Sequence, residues 1–249
     1  MKRLALVIVV LLGALLLRAA TDLPDWGRPD TPASTHLSPY YIENSLTDTA
    51  VPNLVTSVLG DYRGYDTMFE TAVIFCAGIT VLIILRRTPR RRPKVILPLP
   101  EREGRDIILQ TGARLLIPVM QLFALYVVAH GHHSPGGGFQ GGVILGASFI
   151  LLAMCYDLKT ALARLKEKTV LLHAALGVAI YAGIGALCLA LGRNFLGYAA
   201  LGRLLGTDEI MARSHGIFGV EVGVAITVMA IMFSLYIDLA SGGDLDEGL

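Results

Sequence analysis

The chain has 249 residues, of which 54% are hydrophobic and only 16% charged, with a mean hydropathy of +0.61. A soluble domain carries about 25% charged residues because its surface must be wetted, so a soluble globule, a disordered chain, a disulfide scaffold and a coiled coil are all excluded. A net charge of +1 with 7% aromatic residues leaves no basic face for nucleic acid, and what remains is an all-α, polytopic integral membrane protein.

A helix crosses the hydrocarbon with about 20 mostly apolar residues, and helices are the form such runs take because lipid offers the backbone no hydrogen bonds. Six runs qualify: 4–20, 66–85, 107–129, 138–156, 170–192 and 216–237. The first follows Lys2-Arg3, as a signal peptide would, but Arg18 stands where a cleavage site needs a small residue, so it is expected to be a retained anchor. Residues 21–65 read as an external loop, rich in Pro, Asp, Ser and Thr and too short and polar for a domain of its own. Residues 87–104 form a basic linker with Pro89, Pro93, Pro98 and Pro100, the composition of a module junction. The third run is interrupted by Gln110 and by Arg114, which lies close enough to the helix end to snorkel to the interface. The expected organisation is therefore 2+4: a two-helix module over 1–86, the linker, a four-helix domain over 105–240 and an acidic tail over 241–249. Cys76, Cys155 and Cys188 all lie within apolar runs without CxxC spacing and read as buried small hydrophobes.

Lys and Arg set the orientation. Fifteen fall on one side (Lys2, Arg3, nine over 86–114, then Lys159, Arg164, Lys166 and Lys168) and six on the other (Arg18, Arg28, Arg63, Arg193, Arg203, Arg213). The positive-inside rule places both termini in the cytoplasm. The basic stretch over 86–94 directly follows an apolar run, which makes it a stop-transfer and headgroup anchor.

The segment HGHHSPGGGFQGG over 130–142 joins the third and fourth runs. Gly136, Gly138 and Gly141 satisfy GxGxxG formally, but that pattern binds dinucleotides only between a strand and a helix. Its histidines could hold a metal; with no Cys, Asp or Glu nearby in sequence, an interfacial turn is the expectation. Gly138, Gly142 and Gly146 recur every fourth residue and make one small face for close helix approach. Ser148, in Gly146-Ala147-Ser148, resembles the nucleophile of rhomboid-type proteases, with His173 or His215 as the conceivable base; those histidines lie near helix ends on opposite sides. Neither a resident metal nor a cofactor is expected.

Intramembrane carboxylates are costly and mark function by default. Asp66 and Glu70, at i and i+4, share one face at the start of the second run, and Glu221 lies in the sixth, opposite Gly219 and Gly223. The plain alternatives are a cap or interfacial residue for Asp66 and a buried structural pair for Glu70 and Glu221.

Two stretches carry a family resemblance. The run over 114–157, with HGHHSPGGGFQGGVILGASF inside it, resembles the MnhB family, the small B-type subunits of multi-subunit Mrp/Mnh-type cation/proton antiporters; its loop of Pro135, Gly136, Gly137, Gly138 and Phe139 is that family's hallmark. HGIFGVEVGVAITV from His215 looks like its final helix and places the family's acidic position on Glu221. The stretch NLVTSVLGDYRGYDTMFE over 53–70 resembles a segment near the C-terminus of the large A-type antiporter subunits, which stands alone as the E-type subunit of membrane-bound hydrogenases; Met68-Phe69 departs from it where the family has glycine. Residues 21–49 match no known pattern. The resemblance implies an accessory subunit in a bacterial or archaeal cell membrane. Its implied partners are the other subunits of an Mrp-like antiporter or hydrogenase-like complex, the bilayer, and Na+ and H+ as transported ions. No lysine of the kind that lines the proton channels of the large subunits occurs in the six runs. It also implies an ion or proton path through Asp66, Glu70, Glu221 and His130, with a purely structural scaffold as the alternative. The packing role falls to Pro135, Gly136, Gly137, Gly138, Phe139, Gly142 and Gly146.

Overall fold

The computed structural model describes residues 2–87 and 107–242. The linker expected over 87–104 lies outside the described residues apart from Arg87, and so does the acidic tail beyond Gly242. The chain forms two units, Met1–Glu43 and Asn44–Leu249. In the first, helix α1 (Lys2–Ala20) buries none of its apolar window. A π-helical turn, Ala33–Leu37, then leads into α2 (Ser38–Thr49).

The second unit begins within α2 and continues through α3 (Leu54–Ser57), which Asn53 caps by accepting the Val55 amide at 3.1 Å. Its last turn widens into a π-helix over Val58–Tyr62 before α4 (Gly64–Arg87). Then come α5 (Ile107–His130), α6 (Gly138–Cys155), α7 (Leu158–Arg164) and α8 (Glu167–Ala190). A 3-10 turn (Tyr198–Leu201) and α9 (Gly202–Leu205) precede the last helix, α10 (Glu209–Ser241). Among the described residues six helices are long and apolar enough to span a membrane: α1, α4, α5, α6, α8 and α10.

Two stretches differ from the sequence expectation. Residues 38–62, which read as polar loop, are mostly helical, because their hydroxyls and carboxyls find local partners: Thr49 Oγ1 donates to the Ser45 carbonyl at 2.7 Å, and Tyr62 donates to Asp48 at 2.6 Å. The last helix starts seven residues before the apolar run does. Asp208 caps it by accepting the Met211 amide at 2.8 Å, and Arg213 on its second turn pairs with Asp61 at 2.6 Å, so its polar first turns are satisfied within the fold.

At 33 residues α10 is about 50 Å long and exceeds the hydrocarbon thickness. It is the central helix: 67% of its apolar window is buried, against 39% for α6 and 28% for α8. Lipid supplies no hydrophobic drive between helices, so close packing of small residues must hold them. A Cβ on Gly142 would stand 2.7 Å from the Ala225 carbonyl, and one on Gly146 would stand 3.1 Å from that of Met229, so α6 meets α10 at four-residue steps on both helices. On the other side Thr227 donates to the Ala174 carbonyl at 3.1 Å, and a Cβ on Gly177 of α8 would overlap Thr227 Oγ1 and the Gly223 carbonyl. Near the far end of α10, buried Asp238 takes two hydrogen bonds from Arg86 of α4, at 3.2 and 2.8 Å, and Arg86 also pairs with Glu167 of α8 at 2.5 Å.

Two glycines of α8 provide a matched test. Gly177→Ala is expected to destabilise the fold by about 1–3 kcal/mol through overpacking. Gly183→Ala, which meets nothing within 4 Å, is expected to leave the melting temperature in detergent unchanged or raised.

Candidate functional site

The site is assembled where the segment after α2 meets the loop between α5 and α6. Residues 53–64 are held first. Tyr198 Oη donates to the Gly60 carbonyl at 3.0 Å, Tyr181 Oη to that of Gly64 at 2.8 Å, and Arg213, which lies 5.8 Å from the Tyr62 ring centre, clamps Asp61. The fixed segment then grips the loop. Asn53 Nδ2 donates to the carbonyls of Gly131 and Ser134, both at 2.8 Å, and Thr56 Oγ1 to that of Gly131 at 2.8 Å. The Asn53 amide donates to the His132 carbonyl at 2.9 Å.

The gripped loop closes over Glu221 of α10. Gly137 takes φ +114°, a conformation reserved for glycine, and a Cβ there would stand 2.7 Å from Glu221 Oε1. The next residue opens α6, and the Gly138 amide donates to the Glu221 carboxylate. The positive end of the helix dipole thus meets a carboxylate. Glu221 Oε2 is buried without a hydrogen bond, and so is His132 Nε2; the two face each other over 3.9 Å. The imidazole is set by Ser214 Oγ, 3.4 Å from Nδ1, and by the edge of Phe218. Burial pushes the His132 pKa below its usual 6.5, and the neighbouring His133 and His215 push it the same way.

A cavity of about 260 Å³ adjoins this pair, and its wall includes Glu221, Glu70, Thr56, Thr67, Gly136 and Phe139. Glu70 and Glu221, 151 positions apart in sequence, therefore line one space. Asp66 takes a different place: its carboxylate is exposed and held by Arg63 at 2.5–2.6 Å, so Arg63 is Asp66's partner rather than Glu70's. His130 is half-buried between the rings of Tyr126 (5.0 Å) and His133 (5.6 Å), apart from the cavity wall, and Pro135 is exposed on the loop. Sequence spacing does not single out His132, because its partner lies 89 positions away, nor Asn53, Thr56 and the two tyrosines. Ser148, the conceivable nucleophile, is buried and donates to the Leu145 carbonyl at 2.6 Å while accepting from Gln121 at 3.3 Å. His173 contacts the Thr169 carbonyl. Among the described residues no three of His, Cys, Asp and Glu gather closely enough to hold a metal.

Comparison with known proteins agrees with this geometry. Residues 108–234 match the family profile described as a domain related to the MnhB subunit of Na+/H+ antiporter, and residues 6–102 match the MbhE profile, that of the E-type subunit of the membrane-bound hydrogenase (MBH). The chain is 35% identical over 137 residues to the B-type subunit of the Na+/H+ antiporter of Bacillus subtilis, an alignment covering 52% of this chain and 94% of that one. Among solved structures it is similar to a chain of the membrane-bound sulfane sulfur reductase, an archaeal respiratory membrane complex (TM-score 0.59, 29% identity, 93% of this chain and 97% of that one). It is also similar to a chain of the Mrp complex from Dietzia sp. DQ12-45-1b (TM-score 0.61, 27% identity, 94% of this chain but 26% of that one).

The His132 environment predicts a pH effect on stability. Above about pH 7 the ring is neutral in both folded and unfolded chains. As pH falls through 6.5 the unfolded chain takes up a proton that the buried ring resists, so stability is lost on the acid side. The melting temperature should drop between about pH 7.5 and 5.5, and drop less in His132→Gln.

Proposed function

Because this chain belongs to the family of domains related to the MnhB subunit of Na+/H+ antiporters, we propose that it is an accessory membrane subunit of a cation/proton antiporter assembly, either stand-alone or the ion-translocating arm of a respiratory redox complex, and that Glu221 and Glu70 lie on its ion path. The chain is a multi-pass membrane protein whose partners are the other subunits of such complexes. The side of the membrane each terminus occupies is part of the proposal, with both in the cytoplasm. So is the correspondence of residues 1–86 to a module of MbhE type and of residues 105–240 to one of MnhB type.

One observation carries the ionic role: two buried polar atoms, Glu221 Oε2 and His132 Nε2, face each other unpartnered beside a cavity that also holds Glu70. Leaving a buried polar atom unsatisfied costs about 1–3 kcal/mol, and such atoms in a native fold call for a use. Carboxylate oxygens suit a hard cation such as Na+. When the cation enters the cavity and takes Glu221, the proton that Glu221 held passes towards His132 Nε2, across a gap that a small side-chain rotation closes. His132 and Ser214 would carry it on, while Asp66 at the exposed edge draws cations towards Glu70 and His130 stands at the rim. The small face of Gly138, Gly142 and Gly146 keeps this geometry rigid.

Glu221→Gln preserves shape but cannot titrate, and should lower cation/proton exchange in vesicles about a hundredfold while the complex still assembles. Glu70→Gln should also depress exchange strongly, and Asp66→Asn should mainly weaken apparent cation affinity. Wild-type exchange by an assembled Glu221→Gln complex would remove the ion-path role. Topology is checked separately. In intact cells a cysteine at Ser134 should react with an impermeant maleimide and one at Gly248 should not, and the reverse pattern would overturn the cytoplasmic placement of the termini.

A further inference from the structure

A second groove, of about 590 Å³, opens at the opposite end of the α5–α6 pair from the carboxylate cavity. The two helices run antiparallel there. Tyr156 Oη donates to the Gln110 carbonyl at 3.1 Å, and Gln121 Nε2 donates to Ser148 Oγ at 3.3 Å, which fixes their register and sorts the groove wall by depth. At its outer end stand Arg114 of α5 and Thr160 and Arg164 of α7; deeper in, the wall is Ile117, Leu152 and Phe149. Arg63, Arg86, Arg193 and Arg213 are each ion-paired, whereas Arg114 and Arg164 have no carboxylate partner among the described residues. Two unneutralised guanidiniums therefore sit at the mouth of an apolar channel at the end of a membrane-spanning helix pair.

We propose that this groove is a binding site for one anionic phospholipid, its phosphate held by Arg114 and Arg164 and an acyl chain lying along Ile117, Leu152 and Phe149. The polarity gradient along the groove is that of a phospholipid, cationic where the headgroup lies and apolar where the chain lies. The unbalanced positive charge selects an anionic headgroup over a zwitterionic one, which brings its own cation. Guanidinium groups bind phosphate oxygens in bidentate geometry, and Thr160 adds a hydroxyl donor. The bound lipid fills a gap that small residues do not close, and so completes the packing of α5, α6 and α7.

The test uses the assembled complex purified in mild detergent and titrated with phosphatidylglycerol, cardiolipin or phosphatidylcholine, with retained lipid counted by native mass spectrometry. Phosphatidylglycerol and cardiolipin should be retained and phosphatidylcholine should not. Arg114→Gln with Arg164→Gln should weaken retention about thirtyfold, or about fivefold for each arginine. Leu152→Trp, which fills the groove with both arginines intact, should also expel the lipid. Lys159→Gln with Lys168→Gln, whose side chains lie outside the groove, should change nothing. Wild-type retention by the double arginine variant, equal retention of phosphatidylcholine, or displacement of the lipid by millimolar inorganic phosphate would each overturn the proposal. So would a cysteine at Leu152 that crosslinks to another subunit in the assembled complex.

Discussion

Glu221 is a carboxylate placed within the most buried of the long helices, and bringing a carboxylate out of water costs several kcal/mol unless donors replace the water. The donor here is the amide at the start of α6, and that choice dictates much of the surrounding sequence. For a helix N-terminus to reach the carboxylate, the chain before it must pass where no side chain fits. Gly137 turns through a left-handed conformation with its Cα against Glu221, and Gly138 lies against the α10 backbone. A glycine-rich loop is floppy by itself, so it is held from outside by Asn53 and Thr56, whose side chains make three hydrogen bonds to its carbonyls. One buried charge thus explains why two segments about eighty residues apart are joined.

Away from that point the bundle is held by close backbone approach rather than by large side chains. α6 meets α10 through Gly142 and Gly146, and α8 meets it through Gly177 and Gly223. At the other end of α10, Arg86 joins α4 to Asp238 and Glu167. The central helix is fixed by a polar contact near each end and by small-residue contacts between, an arrangement suited to lipid, where apolar bulk alone does not bring helices together.

Much of this is legible in the residues. The class, the six apolar runs, the four-residue glycine period and Glu221 as an informative carboxylate follow from composition and spacing, because membrane insertion depends on local hydropathy. The misread parts are those whose stability comes from distant partners. Residues 38–62 look like loop because many of their polar groups find partners only once α10 and the Tyr198 turn are in place. His132 looks like one of three interchangeable turn histidines until the fold sets it against Glu221, Ser214 and Phe218. Asp66 and Glu70 share a helix face, yet Arg63 engages the first and leaves the second to the cavity.

That the chain crosses a membrane as helices, where those helices lie within a few residues, and which acidic groups are too costly to be incidental can all be read from the amino acids in order. These are properties of single segments, set by the transfer of each run of about 20 residues into hydrocarbon. Which carboxylate meets which histidine, that Glu70 and Glu221 share one cavity, and that Arg114 and Arg164 stand unpaired at the mouth of another emerge only when the helices are packed. Rotating a helix by one residue turns its side chains by about 100°, which changes every such partnership while leaving the hydropathy of the run untouched.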